Sequence, residues 1–249
     1  MFAFCDPKLP GAGRAAELVV SGKEFGLRPV MIDLKKLRSV VKKFIGHSLA
    51  EFTMKHPDVR PSCFGLFCQG YYGSLSAFID TAAHAQEKLC KHDQWLADQK
   101  KDQASIDLMD KDRFRHWIQI MEAQGRDSIG RFNISCNDFA FCAGELNFPD
   151  WPEPHTETDG EVGRWDFQWP DGRVTTANTN EGDAGIDREV FPFLIECLES
   201  FDRSKLNAEG VFRVGVEMHD QTFVKFWAPE QMQSNGYQPY EYCYKDLGF

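Results

Sequence analysis

The chain of 249 residues lacks the motifs that announce an enzyme most directly. It has no G-x-S-x-G, H-E-x-x-H, Walker or G-x-G-x-x-G sequence. That excludes a nucleophile elbow, a zincin helix, a P-loop and a Rossmann turn. Gly11-Ala12-Gly13 comes closest to a phosphate loop, but no Gly-Lys-Ser/Thr follows and no clear strand precedes it. None of the eight cysteines forms a C-x-x-C pair, which argues against a zinc ribbon. No apolar run approaches the roughly 18 residues of a membrane span. The opening MFAFCDPKLPGAGRAAELVV has no basic segment followed by an apolar core, so a secretory signal is not expected.

Negative charge is present and is concentrated in one place. Residues 145–189 hold twelve Asp and Glu against Arg164, Arg173 and Arg188, a local charge of −9 in a chain whose total is −10. The remainder, with 25 Lys and Arg against 26 Asp and Glu, is almost neutral. The same stretch carries Trp151, Trp165 and Trp169 with Phe148 and Phe167, and acidic disordered tails are poor in aromatics. Two readings fit. In one, the stretch is a partner-binding patch with tryptophan anchors and steering carboxylates. In the other, it is a long loop whose tryptophans cap the core while its carboxylates keep it soluble.

Apolar content of 42% and charged content of 27% are those of an ordinary globular protein with a sizeable core. Asp33 is placed to cap a helix whose stripe runs through Leu34, Leu37, Val41, Phe44 and Phe52 and stops at Pro57. Its opposite face carries Lys35, Lys36, Arg38, Lys42 and Lys43. In so acidic a chain, that face is expected to pair with the protein's own acidic stretch rather than with nucleic acid or membrane. Cys63 to Ile79 reads as a hairpin turning at Gln69 to Gly73. Helices follow from Asp80 to about Lys100 and around residues 110–123. Residues 132–148 suggest a second hairpin with Asn137 and Asp138 at its turn. Only Gly163 to Trp169 alternates like a strand within the acidic stretch. A helix is expected from about Asp187 to Phe201, with Pro192 tolerable in its first turn or two. A third hairpin turns at His219 and Asp220. The sum is an α+β fold: an antiparallel sheet built from hairpins, with helices packed mainly on one face. Residues 1–30 are expected to form an arm or cap. One domain is expected over 31–228, with a helical insertion near 90–125, and residues 229–249 as a tail that wraps the surface.

Candidates for chemistry are weak. Ser135 and Cys136 need a base within reach to act as nucleophiles, and strand roles suit both better. His84, His92 and His116 lack the i, i+4 spacing that places two imidazoles on one metal. His155, Glu157, Asp159 and Glu161 alternate and would share one side of an extended segment, yet a solvated loop is the better reading, so no metal or cofactor is expected. Asn178, Asn180 and Glu189 echo a calcium loop without its acidic first ligand or its glycine. The scattered cysteines, set in apolar runs, fit free thiols in a reducing cytoplasm.

His56-Pro57-Asp58, the hairpin CFGLFCQGYYGSLSAFIDTA, Gly163-Arg164-Trp165-Asp166-Phe167 and the late helix leading to FRVGVEM together resemble an uncharacterised bacterial domain family. Its members occur beside polymorphic and contact-dependent toxins, where they are thought to act as immunity proteins. The resemblance covers roughly residues 33–228. The helical insertion and the long acidic stretch depart from the family pattern, and the family supplies no catalytic residues. It implies a non-enzymatic protein that occludes a cognate toxin; the localised acidity points to a basic toxin, and the lack of an expected secretory signal to a meeting in the cytoplasm. The expected contact residues are Trp151, Glu153, Glu157, Asp159, Glu161, Arg164, Trp165, Trp169 and Asp171. The alternative is a hydrolase with a metal or carboxylate site in the acidic segment.

Overall fold

A computed structural model of the chain describes residues 30–101, 135–152, 164–178, 183–208, 210, 212–228 and 240–243. Asp33 ends the first strand, β1 (Val30–Asp33), and caps the first helix, α1 (Leu34–Lys55), its Oδ1 accepting the Lys36 N–H at 2.9 Å. An N-cap of this kind satisfies one of the donors that a helix leaves orphaned. The buried side of α1 is Leu34, Leu37, Val41, Ile45, Ser48, Leu49 and Phe52, the stripe that the helical period requires.

Strands β2 (Cys63–Gln69) and β3 (Ser74–Asp80) form the expected hairpin, and Gly73 takes a positive φ of 65° to close its turn. Helix α2 (Ala82–Lys101) follows; the helix expected around 110–123 lies outside the described residues. Within 132–148 no second hairpin is described. Asn137 and Asp138 belong to a short 3-10 turn, Cys136–Asp138, which leads into a single strand, β4 (Phe141–Asn147), paired with β3. Strand β5 (Arg164–Gln168) is the strand that alternation suggested, and β6 (Val174–Asn178) pairs with it. They are joined at Trp169–Arg173, where the Trp169 N–H donates to the Arg173 carbonyl at 2.8 Å and Gly172 sits at φ 87°. This is a three-residue loop with a left-handed glycine. Helix α3 (Asp183–Leu198) begins four residues earlier than expected, so Pro192 falls beyond its second turn. There it withholds the N–H that the Arg188 carbonyl would otherwise receive, and its ring is exposed. The third hairpin is β7 (Arg213–Met218) with β8 (Phe223–Trp227). Residues 240–243 of the expected tail add a strand, β9 (Tyr240–Cys243), to β8.

The fold is α+β, and the described residues form two mixed sheets. A six-stranded sheet has the order β4-β3-β2-β7-β8-β9, and a three-stranded sheet the order β1-β5-β6. Two parallel pairings, β2 with β7 and β1 with β5, join the hairpins in a way that a purely antiparallel sheet would not. Helices α1 and α3 cover one face of the large sheet, over Phe64, Leu66, Ile79, Val214 and Val216. The opposite face holds a smaller cluster of Cys63, Cys136, Phe139, Val224 and Phe226.

A Cβ at Gly215 would lie 2.1 Å from Cδ1 of the Phe226 ring. Gly215→Ala should therefore destabilise the protein by about 1–3 kcal/mol through overpacking. Urea unfolding checks this, read as a lower midpoint at unchanged slope.

Candidate functional site

The small sheet sorts its side chains by alternation. Strand β5 turns Trp165 and Phe167 inward and Arg164, Asp166 and Gln168 outward. Register carries that division to its neighbours: Met31 lies beside Asp166 on one side, and Thr176 opposite it on the other. The outer face is thus Met31 and Asp33, then Arg164, Asp166 and Gln168, then Val174, Thr176 and Asn178. All are solvent-exposed except Asp166. Met31 (53% exposed) and Val174 (49%) are two of the few large apolar side chains that the described residues leave in water.

Asp166 is held by the Thr176 hydroxyl at 2.6 Å and by Arg164 Nε at 2.9 Å. The Thr176 hydrogen bond first, and then the guanidinium, set its carboxyl below the usual aspartate range. At the β1 side, the face continues into a cleft of about 270 Å³ lined by Met31, Asp33, Lys36, Leu37, Asp150 and Trp151, among others. Lys36 and Asp150 form an ion pair of 2.6 Å at this cleft. Arg38 pairs with Glu196. Two of the cations on α1 thus bind carboxylates of the same chain, one of them in the acidic stretch.

The anticipated contact residues divide. Arg164 and Asp171 are exposed, Asp171 at the hairpin tip, where it accepts the Arg173 N–H at 3.0 Å. Trp165 is 0% exposed, with Tyr71 stacked at 6.0 Å and Trp151 edge-on at 5.8 Å. Trp169 is 4% exposed, donates Nε1–H to the Thr175 hydroxyl at 2.8 Å and lies under the Arg173 guanidinium. The indoles of Trp165 and Trp169 are therefore core, closed within the folded chain and not available as anchors. Trp151 is half-buried, packed over Gly73 and against Phe148, and lines the cleft. Glu153, Glu157, Asp159 and Glu161, and with them the His155 constellation, lie outside the described residues. Met31, Thr176 and Val174 were missed. Trp169-Pro-Asp-Gly-Arg173 followed by a β-prone run was the signal for the second half of this hairpin.

The nucleophile candidates serve the fold. Ser135 Oγ donates to Glu217 Oε1 at 3.0 Å, and the Cys136 N–H donates to Glu217 Oε2. Burial pushes the Cys136 thiol well above its ordinary value, which makes it unreactive. His84 Nδ1 lies 2.8 Å from the buried Asp80 carboxylate, which also accepts the Ala140 N–H. Among the described residues, no three His, Cys, Asp or Glu come together to hold a metal. Nor is any described helix long and apolar enough to cross a membrane.

Trp165→Ala should cost about 3–5 kcal/mol of stability as a core truncation, measured by thermal or urea unfolding, whereas Arg164→Ala should change it little at pH 7. Because the folded carboxyl of Asp166 is lowered, its contribution is present above the unfolded value of about 3.9 and is lost as pH falls through the lower folded value. The stability gap between the wild type and Thr176→Val should accordingly close on acidification below pH ~4. Among the six described free thiols, the exposed Cys90 and Cys142 should react with a thiol reagent in the folded protein. Cys63, Cys68 and Cys136, and Cys197, which burial pushes up to about 12, should react only on unfolding. No known protein family, no curated protein and no solved structure matches the chain.

Proposed function

We propose that this chain is a cytoplasmic immunity protein, a non-enzymatic binder that neutralises a basic bacterial toxin by covering the toxin's active site. The observation that carries the proposal is the pairing of localised charge with an exposed sheet face. The segment that holds nearly all the net charge of the chain also supplies β5 and β6 of that face. Toxins acting on nucleic acids or nucleotides present basic clefts, and an acidic surface with apolar contacts is complementary to such a cleft. In sequence, Glu153, Glu157, Asp159 and Glu161 fall between Trp151, which lines the cleft, and Arg164 on the outer face. Their carboxylates steer the partner, while Met31, Trp151, Arg164 and Asp171 make contact.

Steering and contact separate in kinetics. The probe is the product of the reading frame next to this gene, assayed first for toxicity on expression, then for rescue of growth on co-expression, and then for binding. Neutralising Glu157, Asp159 and Glu161 together should slow association and flatten its salt dependence, with dissociation almost unchanged. Met31→Asp or Trp151→Ala should instead speed dissociation, costing on the order of 2 kcal/mol for a residue that fills a partner pocket. A parallel melting curve distinguishes lost contact from lost fold. No rescue and no complex would sink the proposal, and a folded triple carboxylate variant that associates normally at low salt would remove its electrostatic part.

A further inference from the structure

The edges of the two sheets are blunted differently. Strand β4 carries Glu145 and meets β3 through a register shift between Ala77 and Phe78. Strand β1 is only four residues long and runs into the Lys36–Asp150 ion pair beside it. Charge, irregularity and brevity are the usual protections of an edge. β6 lacks the first two: it is five residues long, one more than β1, but Val174-Thr175-Thr176-Ala177-Asn178 contains no charge and no proline and keeps an unbroken register with β5. Among the described residues, it pairs with β5 alone.

The hairpin determines which backbone groups of β6 point outward. The Trp169 N–H donates to the Arg173 carbonyl, and hydrogen-bonded and non-hydrogen-bonded pairs alternate from there along an antiparallel ladder. Thr175 and Ala177 consequently use their backbone groups on Phe167 and Trp165. Val174, Thr176 and Asn178 turn theirs away from β5, and all three residues are solvent-exposed.

We propose that β6 is a dimerisation edge, on which the β6 of a second copy of this chain pairs antiparallel about a two-fold axis at Thr176. That register sets Val174 opposite the partner's Asn178 and Thr176 opposite the partner's Thr176. Every outward N–H and C=O of the three residues then finds a partner in each copy. The two small sheets become one of six strands, and an isologous contact of this kind closes without propagating. The chemistry suits a copy of itself because no charged side chain on the strand must be desolvated. Asp166 and the partner's Asp166 lie three strand spacings apart, about 14 Å, beyond the Debye length of roughly 8 Å. Each is also held by its own Arg164 and Thr176. The dimer does not depend on the toxin-binding reading; it stands or falls on its own observations.

The test is sedimentation velocity of the full chain over a range of micromolar concentrations, with native-state hydrogen exchange. A concentration-dependent dimer is expected, with slow exchange at the amides of Val174, Thr176 and Asn178. Thr176→Pro removes a donor that β5 does not use and should weaken dimerisation about 100-fold. If that variant does not fold, Val174→Lys places a charge on the edge and should have the same direction of effect, while Met31→Lys at the far edge should leave dimerisation unchanged. A monomer at all concentrations overturns the proposal, as does a dimer indifferent to Val174→Lys. Slow exchange of the three amides in a monomer overturns it too, because another segment would then occupy the edge.

Discussion

The large sheet depends on how closely other residues can approach its centre. Gly65 and Gly215 are register partners across the parallel pair β2 and β7. A Cβ at Gly65 would lie 2.5 Å from Cys136 Sγ, and one at Gly215 would collide with Phe226. Two missing side chains side by side thus make a shallow seat in the sheet, filled by a cysteine and an aromatic ring. The seat lets the Cys136–Asp138 turn lie flat enough for Glu217, almost fully buried, to take the Ser135 hydroxyl and the Cys136 N–H. A carboxylate taken out of water is tolerable only when donors surround it. Here the donors come from the turn that it fastens.

Local pattern and long-range pairing were not equally legible. The stripe of α1, its Asp33 cap and the hairpins β2–β3 and β7–β8 follow from periodicity and turn chemistry, which act over a few residues. The parallel pairing of β2 with β7 does not, since nothing local in either strand specifies a partner so far along the chain. Burial misled as well. Arg213, Gly215 and Glu217 alternate with Val214 and Val216 in the manner of a solvent-facing side, yet all of β7 is buried because the turn covers that second face. Asn137 and Asp138 gave a true turn signal, but the turn is a covering element and not the bend of a hairpin. At the candidate surface, alternation in β5 already separated Arg164 from Trp165. What hid the assignment was composition: a tryptophan in an acidic stretch suits an anchor and a core residue equally, and only burial decides.

With Trp165 and Trp169 committed to the interior, the outer face of the small sheet is built from modest side chains on a rigid backing. The Trp165 ring stacks on Tyr71 and meets Trp151 edge-on, Trp151 packs in turn against Phe148 at the end of the large sheet, and this aromatic chain joins the two sheets. Specificity on such a face comes from the placement of Arg164, Asp166 and Thr176, already tied to one another. A partner docking there would meet a preset arrangement with little left to order.

The pairing of β2 with β7 also has a consequence for how the chain reaches this structure. Contacts between segments far apart in sequence form slowly, because a long loop must close before they are rewarded. During synthesis β2 and β3 emerge first, and the flank of β2 that will receive β7 presents its backbone, with Phe64 and Leu66 alongside, until the last third of the protein has left the ribosome. Such an interval is when unpaired strands find the wrong neighbour. Crowded expression should thus trouble this protein most before it is finished, and a slower ribosome would lengthen the exposure rather than relieve it.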